Sequence, residues 1–128
     1  MTIWPKNIWI LMGGLNAGLA VAAGAYGWHA LANDDMFMMA SQYQMWHALG
    51  MLGAGLMMPA AISRRTVQAL HAAGVLFMVG IVLFCGTLYI FGQFGTIPFE
   101  GAAPIGGMAM MAAWVILAVA GGFRLKQP

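Results

Sequence analysis

Polar residues along this chain fall in short clusters. Between them, apolar residues run continuously rather than in alternation. Four such stretches stand out, at residues 7–29, 41–62, 68–91 and 103–123. None contains Asp, Glu, Lys or Arg. A bilayer core about 30 Å thick needs about 20 apolar residues per spanning helix, so each stretch is long enough to cross. Unbroken apolar runs of this length exceed any strand and predict helices. A membrane-spanning barrel would need alternating segments, which are absent. The pattern predicts an all-α membrane protein: a single four-transmembrane-helix bundle occupying residues 1–128, closed by short connections. The apolar part of the first helix is too long for the core of a secretory signal.

The loops add detail. Ser63 to Val67 leave only a short link between the second and third helices, which makes them antiparallel neighbours. Asp34 or Asp35 can cap a helix beginning at Met36, carrying the second helix past the membrane by a turn or two. The third loop, GQFGTIPFEGA, reads as irregular.

The charges then fix a topology. Lys6, Arg64, Arg65, Arg124 and Lys126 all fall on one side of the predicted bundle, and Asp34, Asp35 and Glu100 on the other. The positive-inside rule places the basic side, and both termini, in the cytoplasm. This predicts an N-in/C-in, multi-pass protein of a bacterial inner membrane. Trp4 and Trp9 are expected near the inner boundary, and Trp28, Trp46 and Tyr89 near the outer one, as an aromatic belt. Trp114 lies mid-helix and is expected to pack against a neighbour.

Composition excludes most function classes. The chain of 128 residues is 62% hydrophobic and 6% charged, against about 25% charged in an ordinary soluble domain. A soluble globule this small has too little interior to hide that apolar surface. Five basic residues are too few for a nucleic-acid surface. One cysteine excludes an internal disulfide framework and a cysteine-cluster metal site. The spans carry no carboxylate for proton-coupled transport, and no hydrolytic triad appears. The reading is therefore non-catalytic.

Glycine is abundant, at 18 residues. In lipid, small residues allow the close approach that holds helices together. Gly14, Gly18, Gly50, Gly86, Gly106 and Gly107 are the candidate packing positions. Gly14-x-x-x-Gly18, continued by Ala22, either seats helix one on its own neighbours or binds another subunit.

Candidate chemistry gathers toward the predicted outer end. His29 closes helix one. Tyr43, Gln44 and His47 share a helix face by their three- and four-residue spacing. Met36, Met39, Tyr43 and His47 form a stripe, and Tyr89 lies at a similar depth. Polar groups within a membrane usually face the bundle interior and often mark function. Three readings stand side by side. The cluster is a hydrogen-bonded layer that fixes helix order, a pocket for a quinone head group or lipid, or a haem or copper site. For the last, His29, His47, Met36 and Met39 are the candidate ligands, since thioethers favour Cu(I). Methionine is equally an ordinary apolar filler. Asn16, alone in mid helix one, is expected to bond to a neighbouring backbone or side chain. Cys85 is expected to be a buried small apolar residue.

Four motifs, one per helix, carry a resemblance. AGAYGWHAL at 23–31 resembles a GAFGAHAL-type motif, and YQMWHAL at 43–49 a second. LFCGTLY at 83–89 resembles LFSGSLY, and PIGG at 104–107 resembles TPIGG. Together they are similar to the YgdD-like small inner-membrane family, domain-of-unknown-function family 423, itself similar to transmembrane protein 256. Trp28, Cys85 and Ala103 depart from the motifs, and the missing hydroxyls count against a hydroxyl-based site. The resemblance implies four helices and an inner-membrane location, and no activity. The combined expectation is an oligomer or accessory subunit of a larger membrane complex. The alternative is a ligand-binding protein with an outer-leaflet pocket lined by His29, Tyr43, Gln44, His47 and Tyr89.

Overall fold

In the computed structural model, which describes residues 7–128, the chain forms four long helices and no strand. They are α1 (Ile8–Ala30), α2 (Asp35–Met57), α3 (Arg64–Phe94) and α4 (Ala102–Phe123). Lys6 and Trp4, assigned above to the basic end and the aromatic belt, lie outside the described residues. Consecutive helices run antiparallel. Asn7 and Ile10 meet Gly55, while Gly27 meets Phe37 and Met38. At the far end Asp34 and Phe37 meet Gly92. The three acidic residues therefore gather at one end of the bundle, and Arg64, Arg65, Arg124 and Lys126 at the other.

The helix starts have local causes. Asn7 caps α1, accepting from the Ile10 N–H through its side chain. Asp34 caps α2, its carboxylate accepting from the Phe37 N–H at 3.0 Å. Ser63 caps α3 through the Thr66 N–H. Each side-chain oxygen satisfies an amide that the helix itself leaves unpaired. Asp34 is the cap expected of this segment, so α2 begins at Asp35, six residues before the apolar span at 41, and it ends at Met57 rather than 62. A short 3-10 turn (Met58–Ala60) follows, where Pro59 cannot supply an interior helical N–H. The third helix starts at Arg64, so the link between α2 and α3 precedes the 63–67 segment expected for it.

Three of the four helices, α1, α3 and α4, are long and apolar enough to cross a membrane. The fourth, α2, matches α1 in length at 23 residues but carries Ser41, Gln42, Tyr43, Gln44 and His47. It is also the central helix. Phe37, Ala40, Ser41, Gln44, His47, Ala48, Met51 and Ala54 form its buried face. The most polar helix thus lies inside, and three strongly apolar helices surround it. This inversion suits a lipid solvent, where polar groups turn inward.

The core joins Trp9, Met51, Leu70, Phe77, Ile81, Met110 and Leu117 with a bed of alanines and Cys85. Trp9, the second residue of α1, turns inward and is buried. Its indole lies over Gly74, where a Cβ would collide with the ring, and its Nε1–H donates to His71 Nδ1 at 2.9 Å. Trp28 and Trp46 are exposed. Trp28 lies on the last turn of α1, where a belt would place it, whereas Trp46 is eleven residues into α2, near its middle and not at the outer boundary expected for it. Trp114 packs edge-on to Phe77, their centroids 4.9 Å apart.

Midway along α3 the regular repeat opens into a π segment (Ile81–Cys85). Here α3 and α4 nearly touch. A Cβ on Gly106 would lie 2.6 Å from the Phe84 backbone nitrogen, and one on Gly80 would strike Met110. The Thr87 hydroxyl donates to the Leu83 carbonyl at 2.6 Å, giving that carbonyl a partner where the helical ladder is altered.

Candidate functional site

The candidate residues do not form one cluster. Gln44, Tyr89 and Asn16 come together; His47 sits in a separate aromatic nest; His29, Met36 and Met39 point away. The difference follows from where α2 begins. With α2 starting at Asp35, Gln44 lies nine residues in and His47 twelve, about 14 and 18 Å along the axis. These groups lie near the middle of the helix and not one turn inside its outer end.

The polar layer links three helices. Gln44 on α2 donates through Nε2 to Asn16 Oδ1 on α1 at 3.1 Å. It accepts at Oε1 from the Tyr89 hydroxyl on α3 at 2.6 Å. The Met12 carbonyl, which can only accept, sets both amides: it takes Asn16 Nδ2, leaving Asn16 Oδ1 to accept from Gln44 Nε2 and Gln44 Oε1 to accept from Tyr89. Asn16 then donates through Nδ2 to the Met12 carbonyl at 2.9 Å and approaches Met78 Sδ at 3.6 Å. One turn from Gln44, the Ser41 hydroxyl donates to the Ala20 carbonyl at 2.8 Å. Asn16 and Gln44 are 4% and 7% exposed, so water cannot replace these bonds. Among the described residues no buried side-chain nitrogen or oxygen lacks a partner.

His47 is buried on the same helix. Its Nδ1 bonds the Tyr43 carbonyl one turn back. Its ring stacks on Tyr43, centroids 5.8 Å apart and 15° between planes, and meets Phe77 and Trp114 at tilted angles. The stripe expected through Met36, Met39 and Tyr43 is not the inward face. Met36 and Met39 are exposed and Tyr43 is half-buried. The inward line instead passes through Ala40, Ser41, Gln44, His47 and Ala48. His29 is exposed on the last turn of α1. Among the described residues, no three His, Cys, Asp or Glu side chains come together as a metal site.

The packing glycines divide in the same way. Gly50 sits under the Phe77 ring and Gly106 against the Phe84 backbone. Gly14, Gly18 and Gly86 have nothing within 4 Å of a Cβ position, and Gly107 only Phe84 at 3.9 Å. Of the six positions expected to seat helices on one another, two do so closely.

Asn16, expected to bond to a neighbouring backbone or side chain, does both, and it is the α1 anchor of the layer. Its signal was available: it is the only Asn, Gln, Ser or Thr between positions 8 and 30. Ser41 was passed over although it lies three residues from Gln44, on the same face.

The residues carrying the motif resemblance lie at these helix contacts. Gly24 and Gly27 face Ser41, Phe37 and Met38, and Gly106 faces Phe84. Residues 23–107, spanning all four motifs, match the family described as "Protein of unknown function (DUF423)". The chain belongs to this family. Its relatives include the UPF0382 membrane protein SSP2132 of Staphylococcus saprophyticus, 35% identical across 93% of this chain and 99% of the relative. UPF0382 membrane protein YwdK of Bacillus subtilis is 34% identical across 89% and 95%. UPF0382 inner membrane protein YgdD of Escherichia coli is 27% identical across 92% and 91%. No solved structure matches the chain. Like these relatives, the chain is an integral membrane protein, and the lipid bilayer is its solvent.

Proposed function

We propose that this family member is a small non-catalytic protein of the bacterial inner membrane. It crosses four times, keeps both termini in the cytoplasm, and serves as a subunit of an oligomer or of a larger membrane assembly. The observation that carries the reading is the outward face of α1. Gly14 and Gly18 sit one turn apart on an exposed surface with open space where each side chain would project. Ala22 continues the exposed stripe. Bare backbone on a lipid-facing surface makes poor contact with lipid and good contact with another helix.

The interior supports the non-catalytic part. Gln44 spends both ends of its amide on Asn16 and Tyr89, so the groups best suited to chemistry hold helices together. The crossing count is supported by the length of α2 and by its inward-turned polar face. The orientation is supported by the basic residues grouped at the end that carries the described C-terminal residues.

A single Leu15→Cys variant tests the assembly. The native Cys85 is buried and will not compete. Oxidation in membranes is expected to give a cross-linked dimer, and adding Gly18→Leu to abolish it. A monomer's mass in mild detergent, with no cross-link, overturns the proposal. An absorption spectrum with a haem Soret band, or copper retained by the wild type and lost in His47→Ala, would favour the ligand-binding alternative instead.

A further inference from the structure

At the basic end of the bundle, α3 and α4 part. The gap is a groove of about 430 Å³ lined by Arg65, Arg124, Ser63, Val115, Ile116 and Val119 among others. Its size falls in the range of about 300–1,000 Å³ typical of ligand clefts.

The mouth of the groove is built by the chain that follows α4. The Ile62 N–H donates to the Arg124 carbonyl at 3.1 Å, and the Lys126 N–H to the Ala60 carbonyl at 2.7 Å. Around them Ala61 and Leu125 form an isolated antiparallel bridge. These bonds fasten Arg124 beside the start of α3, where Arg65 stands. Two guanidinium groups thus share one opening. Every Asp and Glu of the sequence is at the other end of the bundle, so no carboxylate side chain is there to neutralise them.

Below the mouth the walls are apolar. From Arg124 to Val115 the groove follows α4 for nine residues, about 13 Å. That nearly equals one leaflet of a hydrocarbon core about 30 Å thick. The ligand this shape takes has a negative head held at the interface and a long apolar tail lying toward the midplane.

We infer that the groove between α3 and α4 binds an anionic phospholipid of the leaflet at the basic end. Arg65 and Arg124 hold its phosphate, and Val115, Ile116 and Val119 carry one acyl chain. Arginine suits this role because its planar fork of donors matches phosphate oxygens. A free phosphate would satisfy the mouth and leave the apolar length empty. The inference is independent of the assembly proposed through α1, whose Gly14 stripe lies on a different helix.

The test is native mass spectrometry of the whole protein released from nanodiscs of phosphatidylglycerol and phosphatidylcholine in equal amounts. The wild type is expected to retain phosphatidylglycerol selectively. Arg65→Gln with Arg124→Gln is expected to reduce that preference about 30-fold, from the attraction of two cations near a lipid surface. Arg64→Gln removes a neighbouring charge that does not line the groove, and as a single surface cation it is expected to change the preference by no more than about fivefold. Val115→Trp keeps both arginines and fills the tail channel, and is expected to remove the bound lipid. Equal retention of the two lipids by the wild type overturns the site without any variant. So does an Arg64→Gln loss equal to the double variant's, unchanged retention in Val115→Trp, or displacement of the lipid by millimolar inorganic phosphate.

Discussion

The seam that joins α1, α2 and α3 and the seam that joins α3 and α4 hold helices together by different physics. The first is polar, with Asn16, Gln44 and Tyr89 forming a chain of side-chain hydrogen bonds across three helices. The second is almost free of polar side chains. Trp114 supplies the only indole on α4, and the rest of that helix is Gly, Ala, Met, Pro, Phe and branched aliphatics. There, contact comes from Gly106 seated against the Phe84 backbone and Gly80 against Met110, where α3 opens into its π segment. Lipid is as apolar as leucine, so burial of apolar surface gives neither seam an advantage over solvation by lipid. One seam supplies hydrogen bonds that lipid cannot. The other supplies backbone proximity that lipid chains cannot match.

The sharpest way to break the second seam is Gly106→Leu. The obstacle is backbone, which cannot swing aside as a side chain can. Overpacking typically costs about 1–3 kcal/mol and occasionally more; against backbone the upper end applies, and the variant is expected to lose its folded, monodisperse peak in detergent. Gly107→Leu, one residue along and nearly unobstructed, is expected to keep it. Equal behaviour of the two would mean that α4 is not held at Gly106.

The first seam is expected to yield more gently. Gln44→Leu leaves the Tyr89 hydroxyl and the Asn16 carbonyl oxygen without partners. Each buried unsatisfied group costs about 1–3 kcal/mol in water-soluble proteins, but bonds between membrane helices average about 0.6 kcal/mol because the separated helices find other partners. A loss of about 1–2 kcal/mol in reversible unfolding is expected on these two scales. Asn16→Leu added to Gln44→Leu should cost less than the two single losses together, since both act on one network. Strict additivity would show that the two amides do not share a bond. Ser41→Ala removes one hydroxyl bonded to one carbonyl and is expected to cost about 0.6 kcal/mol, the smallest of the interior effects.

Much of this architecture was legible in the sequence. Continuous apolar runs named the helices, because a spanning segment has no need to alternate. Segregated charges named the two ends. The depth of the polar groups was harder to read. The Asp34 cap was legible, and the apolar residues Met36–Ala40 belong to the helix it starts, so depth counts from the cap and not from Ser41. Shifting the start moved His47 and Gln44 from the outer end to the middle, separating them from His29. The facing of glycines was not legible either. Gly14 and Gly106 read alike in one dimension, and only the packing of α4 against the π segment of α3 makes one of them crowded and the other bare.

That contrast gives the prediction of smallest effect on the fold. Gly14→Leu places a large side chain on a surface where a Cβ meets nothing within 4 Å. Within the monomer it removes a flexible helical residue, which by itself stabilises a helix by about 1 kcal/mol or less. Unfolding in detergent is therefore expected to be unchanged or slightly more resistant, the reverse of Gly106→Leu. Association should respond in the opposite sense, because the same side chain stands where a partner's backbone would approach. Sedimentation or light scattering in mild detergent reads the two effects separately. A Gly14→Leu protein that is stable but smaller in assembly than wild type places the bare stripe at a subunit contact. One that is destabilised like Gly106→Leu would mean that the stripe faces the chain's own interior.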